Sequence, residues 1–512
     1  MPVATVQNDF TAGMVRDVPI HEIPPNAAYT LHDFLTNEHG ELYQRGPFTK
    51  WSSLTGFSGA NGPRGIYLAY YPTTSNQEVV LVNAADANIY LATPTTSSLV
   101  GSGFNGGVPS WAFYLDKVIV APGGGSGAAA APKKIVWNGT TATLSALGGS
   151  PPNMNHICIY KSRLCGGGDI TSHPNRLYFS PVPAIDGTWD TTNSWIDCEH
   201  NIKGVVGLRN MLLVFGDSGV ERIIGDTPPP GTNMDRTTIS NIGLNGINGA
   251  ACITVWNDNA IYANTAGVWM TNGTAAPVDL TVIGGIKTLW KSLNITSSSS
   301  TVSLGIFRDT LMIGCSSSTM PGILCFDLIR KSWYILGGQG AALGAGITPL
   351  QFAEGSLSST DELLFVDPVF GYSPVQVSTA FAPTGSPYAD PSNGRSVVLQ
   401  PQVVTRAFAG SGLVNRKRFT FARLTHDLTD PASNNPTWTV TPHFGLEGAT
   451  SRAATVFSKN TTTQRNRAQL FAEAQACQLD IKATSGNLAS VAKIYALEVE
   501  AAEMPFPLEG GG

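Results

Sequence analysis

A short polar turn between two apolar runs recurs through the middle of the chain. It stands at Tyr114-Leu115-Asp116-Lys117, Tyr160-Lys161-Ser162-Arg163, Leu208-Arg209-Asn210-Met211, Trp256-Asn257-Asp258-Asn259 and Phe307-Arg308-Asp309-Thr310. Counted between Asp116, Ser162, Asn210, Asp258 and Asp309, the gaps are 46, 48, 48 and 51 residues. Weaker members stand at Asn76-Gln77 and Asp361-Glu362, 39 residues before the series and 52 after it. Several short strands per unit at a period of about 40 to 50 residues mark a propeller, in which each blade is one small antiparallel sheet. The alternative is an all-β chain whose turns fall at irregular spacing.

After each turn comes an apolar run and then a second run led by an aromatic or β-branched residue. Val118-Ile119-Val120 is followed by Ile135-Val136-Trp137, and Met211 to Phe215 by Val220 to Ile224. Ala260-Ile261-Tyr262 is followed by Val268-Trp269-Met270, and Leu311-Met312-Ile313 by Ile323 to Phe326. Runs of this length bounded by Gly, Asn, Asp and Ser read as strands. Two units also share an Asn-Gly turn, Asn138-Gly139 and Asn272-Gly273. Asn-Gly predicts a two-residue hairpin with positive φ at both positions.

The 55 Gly and 33 Pro in 512 residues are too many for a helical protein. Charged residues make up 13%, about half the usual share, so Ser, Thr, Asn and Gln must supply the polar surface. That composition suits a protein covered over much of its surface by other protein. A net charge of −5 offers no field to gather nucleic acid or anionic lipid. No apolar stretch approaches the ~20 residues of a membrane helix, so no membrane insertion is expected. The start, Met1-Pro2-Val3-Ala4-Thr5, lacks a secretory pattern, which predicts synthesis and assembly in a cytoplasm. Seven cysteines, odd in number and without a Cys-x-x-Cys pair, predict buried free thiols rather than zinc ligands or a disulfide framework.

Three regions follow from the changes of rhythm. Residues 1–60 form a leader that packs on the repeats or closes them, and residues 61–390 carry a propeller of six to eight blades. Glycine-rich and proline-rich inserts, Gly123 to Gly127 and Thr227 to Gly231, read as loops on blade edges. Residues 391–512 read as a separate β-sandwich, with Pro383 to Gly394 as linker. Its strand-like runs are Ser396 to Thr405, Arg418 to Leu424, Trp438 to Phe444, Gln478 to Ala483 and Val491 to Val499. The fold class expected is therefore all-β.

The leader carries, in order, Phe10-x-x-Gly13, Asp17-x-Pro19, Ile23-Pro24-Pro25-Asn26-Ala27, Leu31-x-Asp33, Asn37-x-x-Gly40 and Leu42-x-x-Arg45-Gly46. This resembles the opening of the tailed-phage nozzle proteins, also called tail tubular protein B, and of the related phage stabilisation proteins. The stretch Ile202 to Gly216, ending in Leu213-Val214-Phe215, resembles a strand of that family. So do Ile242-Gly243 with Ala266-Gly267-Val268-Trp269, and Asn415-Arg416-Lys417-Arg418-Phe419. The resemblance covers most of the chain in short motifs, and the glycine inserts depart from it. It implies a structural virion protein of the tail, a ring of identical subunits, a hexamer by analogy, below the portal and adaptor protein. Genomic DNA would leave through its lumen without sequence recognition. Physics adds that a mildly acidic conduit does not hold phosphates by counterion release.

Other constellations compete with that reading. Asp186, Asp190, Asp197 and Glu199 lie with Trp189, Trp195 and His200 within fifteen positions. Two carboxylates about 5 to 9.5 Å apart beside a sugar-stacking platform would make a glycoside hydrolase. Trp189 and Trp195 alone would suit a receptor- or carbohydrate-binding protein at the distal tail tip. The plainer expectation is a loop with Asp-Gly as turn and Trp as packing. Gly101-Ser102-Gly103-Phe104-Asn105-Gly106 has the letters of a dinucleotide fingerprint, but a further strand is expected after it where the fingerprint needs a helix. Eight histidines are scattered singly, and Arg416-Lys417-Arg418 is the one compact basic cluster, read as a solvated strand edge. No catalytic residue, cofactor or metal site is therefore expected.

Overall fold

Four of the five recurring turns hold two consecutive residues at positive φ. These are Leu115 and Asp116 (47° and 55°), Lys161 and Ser162 (48° and 60°), Asn257 and Asp258 (46° and 60°), and Arg308 and Asp309 (46° and 60°). Two left-handed residues in succession make the hairpin turn whose twist matches its strands. Each closes a pair in direct register, such as Tyr160↔Arg163 and Phe307↔Thr310. The fifth closes by a hydrogen bond from Leu208 N–H to the Met211 carbonyl at 2.8 Å. The Asn-Gly turns differ from expectation. Only Gly139 (94°) and Gly273 (78°) are left-handed, in loops longer than two residues. The asparagines act through their side chains instead. Asn138 Oδ1 accepts from the Thr140 and Thr141 N–H groups, and Asn272 Oδ1 from Thr274 N–H.

The computed structural model describes residues 3–45, 48–50, 62–72, 77–93, 96–104, 107–123, 130–231, 233–245, 249–293, 295, 302–315, 322–337, 349–355, 362–367, 375–377, 389–390, 395–396, 401–409, 416–429, 437–445, 450–458, 461–484 and 491–504. Gly46 and most of the Pro383 to Gly394 linker lie outside these.

Among the described residues, seven four-stranded antiparallel units follow one another along the chain. Their first strands are Pro63–Tyr71, Ser110–Tyr114, His156–Tyr160, Ile202–Gly207, Ile253–Trp256, Val302–Phe307 and Gln351–Gly355. Each of the five stronger turns falls between the first and second strands of a unit, while Asn76 and Asp361 of the weaker members lie outside the described residues. The second strands do not alternate. Val118, Ile119 and Val120 are all fully buried, as are Leu212 to Phe215, because neighbouring units cover both faces of the sheet. Each such side chain contributes about 1.5–3 kcal/mol by leaving water. First strands pack on one another around the molecule, and the seventh packs on the first. The arrangement is all-β and propeller-like.

Gln351 in the seventh unit ties that junction. Its Oε1 accepts from Ile66 N–H of the first unit at 3.0 Å and from Trp111 Nε1–H of the second at 3.2 Å. Its Nε2 donates to the Pro109 carbonyl at 3.1 Å. The fourth strand of the seventh unit is Phe48–Lys50, contributed by the leader and paired with Val375–Val377.

The other leader strands go elsewhere. Gly13–Met14 and Ala27–His32 lie parallel to Ser332–Leu336, the last strand of the sixth unit. Ala27–His32 then pairs with Gln402–Thr405, which continues through Cys477–Thr484 to Thr437–Phe444. A second sheet contains Val3–Gln7, Phe34–Thr36, Leu42–Gln44, Val491–Glu503, Lys417–Thr429 and Thr461–Ala474. Here the strands do alternate. In Thr437–Phe444 every second residue is buried, the pattern of a sheet with one wet face. Phe34 of one sheet stacks on Trp438 of the other, with centroids 6.3 Å apart. Leu424, Val440, Leu479, Ile481 and Leu497 line the apolar space between the sheets.

Candidate functional site

The acidic, tryptophan-bearing loop lies between the third and fourth strands of the third unit. Asp186 reaches into the second unit, where Lys117 Nζ sits at 2.5 Å and Lys134 Nζ at 2.9 Å, and it accepts from Gly148 N–H at 3.2 Å. Partial burial works against its charge, but the two lysines prevail and hold its carboxyl down at about 2. Asp190 is exposed. Its carboxylate accepts from the Thr192 and Asn193 N–H groups, and these bonds with the Asn193 side chain lower its pKa. Asp197 pairs with Arg176 at 2.9 Å, and Glu199 accepts from Thr238 Oγ1 at 2.8 Å. A glycosidic general acid needs a raised pKa, so Asp186 and Asp190 are unsuited to that role.

The two tryptophans are placed as the plainer reading has them, in packing rather than side by side as a platform. Trp189 is 6% exposed, packed with Ile185, Leu147 and Met154, and its indole N–H donates to the Ile185 carbonyl. The Arg176 guanidinium lies 3.6 Å from the Trp195 ring centroid and occupies one face of that ring. Both serve packing, because a large ring in a long loop is what joins that loop to the unit beneath.

The glycine stretch after Ser97–Gly101 turns its carbonyls, not its N–H groups, to a charge: Lys133 Nζ donates to Ser102 and Gly103 oxygens at 3.2 Å. Strand Ser110–Tyr114 follows, so no helix N-terminus is present to receive a phosphate. Ser218 Oγ lies between His200 Nδ1 (3.1 Å) and Asp217 Oδ1 (3.3 Å); in a catalytic triad the imidazole would take the middle place. Arg416-Lys417-Arg418 starts a strand, with Lys417 buried and Arg418 paired to Glu473. All seven thiols are free and six are buried; burial pushes Cys165 up to about 12, against the opposing pull of Arg163. Among the described residues no group of His, Cys, Asp and Glu is arranged to hold a metal, and no helix is long and apolar enough to cross a membrane.

The leader motifs meet in one place instead. Phe10 is fully buried. Gly13 has a φ of 68°, and a Cβ there would stand 2.7 Å from the Trp333 carbonyl. Asp17 accepts from Lys287 N–H at 2.6 Å and Thr288 N–H at 2.7 Å, capping helix Lys287–Ser292 from 270 residues away. Pro19 offers its carbonyl to Glu22 N–H. Lys287 then pairs with Asp279 and lies over the Trp269 ring, beside Gly267. Trp269 Nε1 and Gly267 N–H both donate to Asn264 Oδ1. Phe215 packs on Tyr262 at 5.0 Å. Arg45 Nε donates to Asp33 Oδ1 at 2.6 Å, and Gly337 N–H donates to the same oxygen at 2.9 Å. Burial opposes the Asp33 charge, yet Arg45 and His32 hold that carboxyl far below its ordinary range. Gly13, Asp17 and the Asp33–Arg45 pair thus join the leader to the fifth or sixth unit or to the residues just after it, Phe215, Gly267 and Trp269 hold the fourth and fifth units, and Pro19 makes a turn within the leader. Sequence reasoning missed Lys287 and Gln351 as partners, since no local pattern announces a contact across 270 or 285 residues; it also missed the nearby Asp279, which no motif singled out.

No family model and no curated protein matches the chain. Among solved structures it is similar to the BBS1N chain crystallised with ARL6DN. The lead-soaked form has TM-score 0.40 at 9% identity over 66% of this chain and 99% of that chain. The mercury-soaked form has 0.39 at 8% identity, over 66% and 97%. An exo-β-1,3-galactanase from Phanerochaete chrysosporium gives 0.28 at 9% identity, over 76% and 95%. Likenesses this distant carry no functional argument.

Proposed function

We propose that this chain is a structural subunit of a phage tail, part of a nozzle or hub ring below the portal and adaptor through which DNA exits. One observation carries the reading most. The leader stretch that resembles the tail nozzle family runs between the fifth and sixth units, through Gly13, Asp17 and Asp33, and the C-terminal sheets, through Leu31 and Leu42. On this reading the seven units are the blades of one closed propeller, with Phe48–Lys50 as its outermost closing strand, and the two C-terminal sheets are a sandwich. Residues 61–390 and 391–512 then approximate the two domains. Gln351 spans from the seventh blade to the first and second at their inner strands, so the DNA passage runs between subunits rather than through a propeller axis. The low share of charged residues suits broad, wet contacts between copies.

Electron microscopy of the purified chain, with labelled antibody on intact particles, tests this. Closed rings, and label at the portal end of the tail, are expected. Label at the distal tip would replace the proposal with a receptor-binding role, and solitary globules at every concentration would remove the ring.

A further inference from the structure

Asn-Gly-Thr stands in two turns of the molecule, and the surroundings of the two differ. Asn138-Gly139-Thr140 joins the third and fourth strands of the second unit, Lys133–Trp137 and Ala142–Ala146. Asn272-Gly273-Thr274 stands between the third and fourth strands of the fifth, Gly267–Thr271 and Val278–Asp279. An asparagine followed by glycine carries the reagent for its own conversion. The glycine nitrogen can attack the side-chain amide carbon before it, since glycine has no Cβ to crowd the cyclic imide that forms.

Both amides are prepared for such an attack. Asn138 Oδ1 accepts from Thr140 N–H at 2.9 Å and from Thr141 N–H at 2.8 Å. Asn272 Oδ1 accepts from Thr274 N–H at 3.0 Å and from Thr274 Oγ1 at 2.7 Å. Two donors on the amide oxygen draw charge from its carbon and steady the oxyanion of a tetrahedral intermediate. The nucleophiles are what differ. Gly273 is buried, its N–H donates to Thr271 Oγ1 at 3.0 Å, and its carbonyl accepts from Arg222 Nη1 at 3.3 Å. A Cβ there would collide with Met211 Sδ, so the backbone is wedged against the fourth unit and its nitrogen is engaged. Gly139 is only half-buried, and a Cβ there would meet nothing within 4 Å. Its N–H makes no hydrogen bond among the described residues.

We infer that Asn138 is a site of spontaneous covalent modification by water, and that the fold protects Asn272 from the same reaction. The Gly139 nitrogen loses its proton to hydroxide or a buffer base and bonds to Asn138 Cγ. The Cγ–Nδ2 bond breaks, the leaving nitrogen takes up a proton, and ammonia departs from the cyclic imide. Water then opens the imide at either carbonyl, to an aspartate or an isoaspartate, with no oxidation or reduction at any step. Each product places a negative charge beside the outer strand Ala142–Ala146, which carries none of its own. The isoaspartate also adds a carbon to the backbone of a turn closed by the Asn138 N–H to Thr141 carbonyl bond, at 3.2 Å. That loosens the pairing of Lys133–Trp137 with Ala142–Ala146 at its closed end.

Peptide mapping by mass spectrometry tests this. The full chain is held at mildly alkaline pH, and conversion at positions 138 and 272 is followed in time. A second sample kept unfolded in guanidinium chloride gives each position its own reference rate. One engaged N–H is worth about a fivefold difference, and the wedged backbone adds to it, so Asn272 should be slowed by folding at least that much more than Asn138. Equal slowing at the two positions overturns the inference. So does an Asn138 that stays intact in the folded chain while it converts in the unfolded one.

Discussion

Asp258 and Asp309 each do two jobs at once. Both hold a φ of 60°, which Asp, Asn and Gly tolerate best, and both accept a hydrogen bond from the unit before. Asp258 Oδ1 takes the Arg209 N–H at 2.8 Å, and Asp309 Oδ1 takes the Trp256 indole N–H at 2.8 Å. Asn210 offers its carbonyl to Tyr160 Oη in the same manner at 3.2 Å. In the fourth, fifth and sixth units the recurring polar residue is therefore a clasp to the unit before as well as part of the turn. Asp258→Gly keeps the backbone unstrained and removes the acceptor, so it should cost about 1 kcal/mol in chemical denaturation. Asp258→Asn retains both features and should cost clearly less; equal losses would show that the clasp contributes nothing. His426 presents a different test. An indole N–H can only donate, so that of Trp438 fixes His426 Nδ1 as the acceptor at 2.9 Å, and Nε2 must carry the proton. The Asn466 amide at 3.1 Å then faces it with its oxygen. Burial lowers this imidazole to about 4 from 6.5, against a small opposing effect of Asp427. The unfolded chain thus binds the proton first as pH falls. The stability due to neutral His426 is complete above about 6.5 and is lost progressively toward 4, on the order of 2 kcal/mol in all. His426→Gln should flatten the change in urea midpoint between those two pH values, and an unaltered slope would assign the acid sensitivity elsewhere.

At the scale of elements, the leader works by capping and wedging. Helix Lys287–Ser292 has no side-chain cap at its adjoining residue Ile286, and Asp17 fills that need from the far end of the chain. Asp17→Ala frees two N–H groups and should cost about 1 kcal/mol, while Asp17→Asn should restore most of it. Gly13→Ala meets a fixed carbonyl rather than a flexible side chain and should cost more, about 2–3 kcal/mol, as read by thermal melting. The turns were legible in the sequence because hairpin geometry restricts which residues stand there, and that restriction repeats at every unit. The pairing of Gly13 with Trp333 was not, since a two-residue strand leaves no periodic signal and its partner is distant. The same holds for the candidate site. Asp186, Trp189 and Asp197 were found as a group by sequence spacing, but Lys117, Lys134 and Arg176, which neutralise or cover them, come from other strands.

For the whole molecule, the leader enters three sheets and so decides whether the chain unfolds as one body. Strand Phe48–Lys50 completes the seventh unit, Gly13–Met14 and Ala27–His32 bridge the sixth unit to one C-terminal sheet, and Val3–Gln7, Phe34–Thr36 and Leu42–Gln44 belong to the other. Removing residues 1–50 should therefore lower the melting temperature and, on the proposed tail role, block particle assembly as well. That deletion disturbs everything at once, and Thr49→Pro isolates a single role. Thr49 pairs with Gln376 at the outer edge of the seventh unit, where proline removes a ladder donor and restrains the backbone. If Phe48–Lys50 holds the seventh unit against the first, hydrogen exchange should accelerate first at Val375–Val377 and then at Gln351–Gly355, whose Gln351 binds Ile66 and Trp111. Protection in Val491–Glu503 should stay as it was, because that strand draws on other leader segments. Faster exchange spread evenly over all sheets would mean that the leader acts as one cooperative element, and no change anywhere would mean that the closing strand is dispensable.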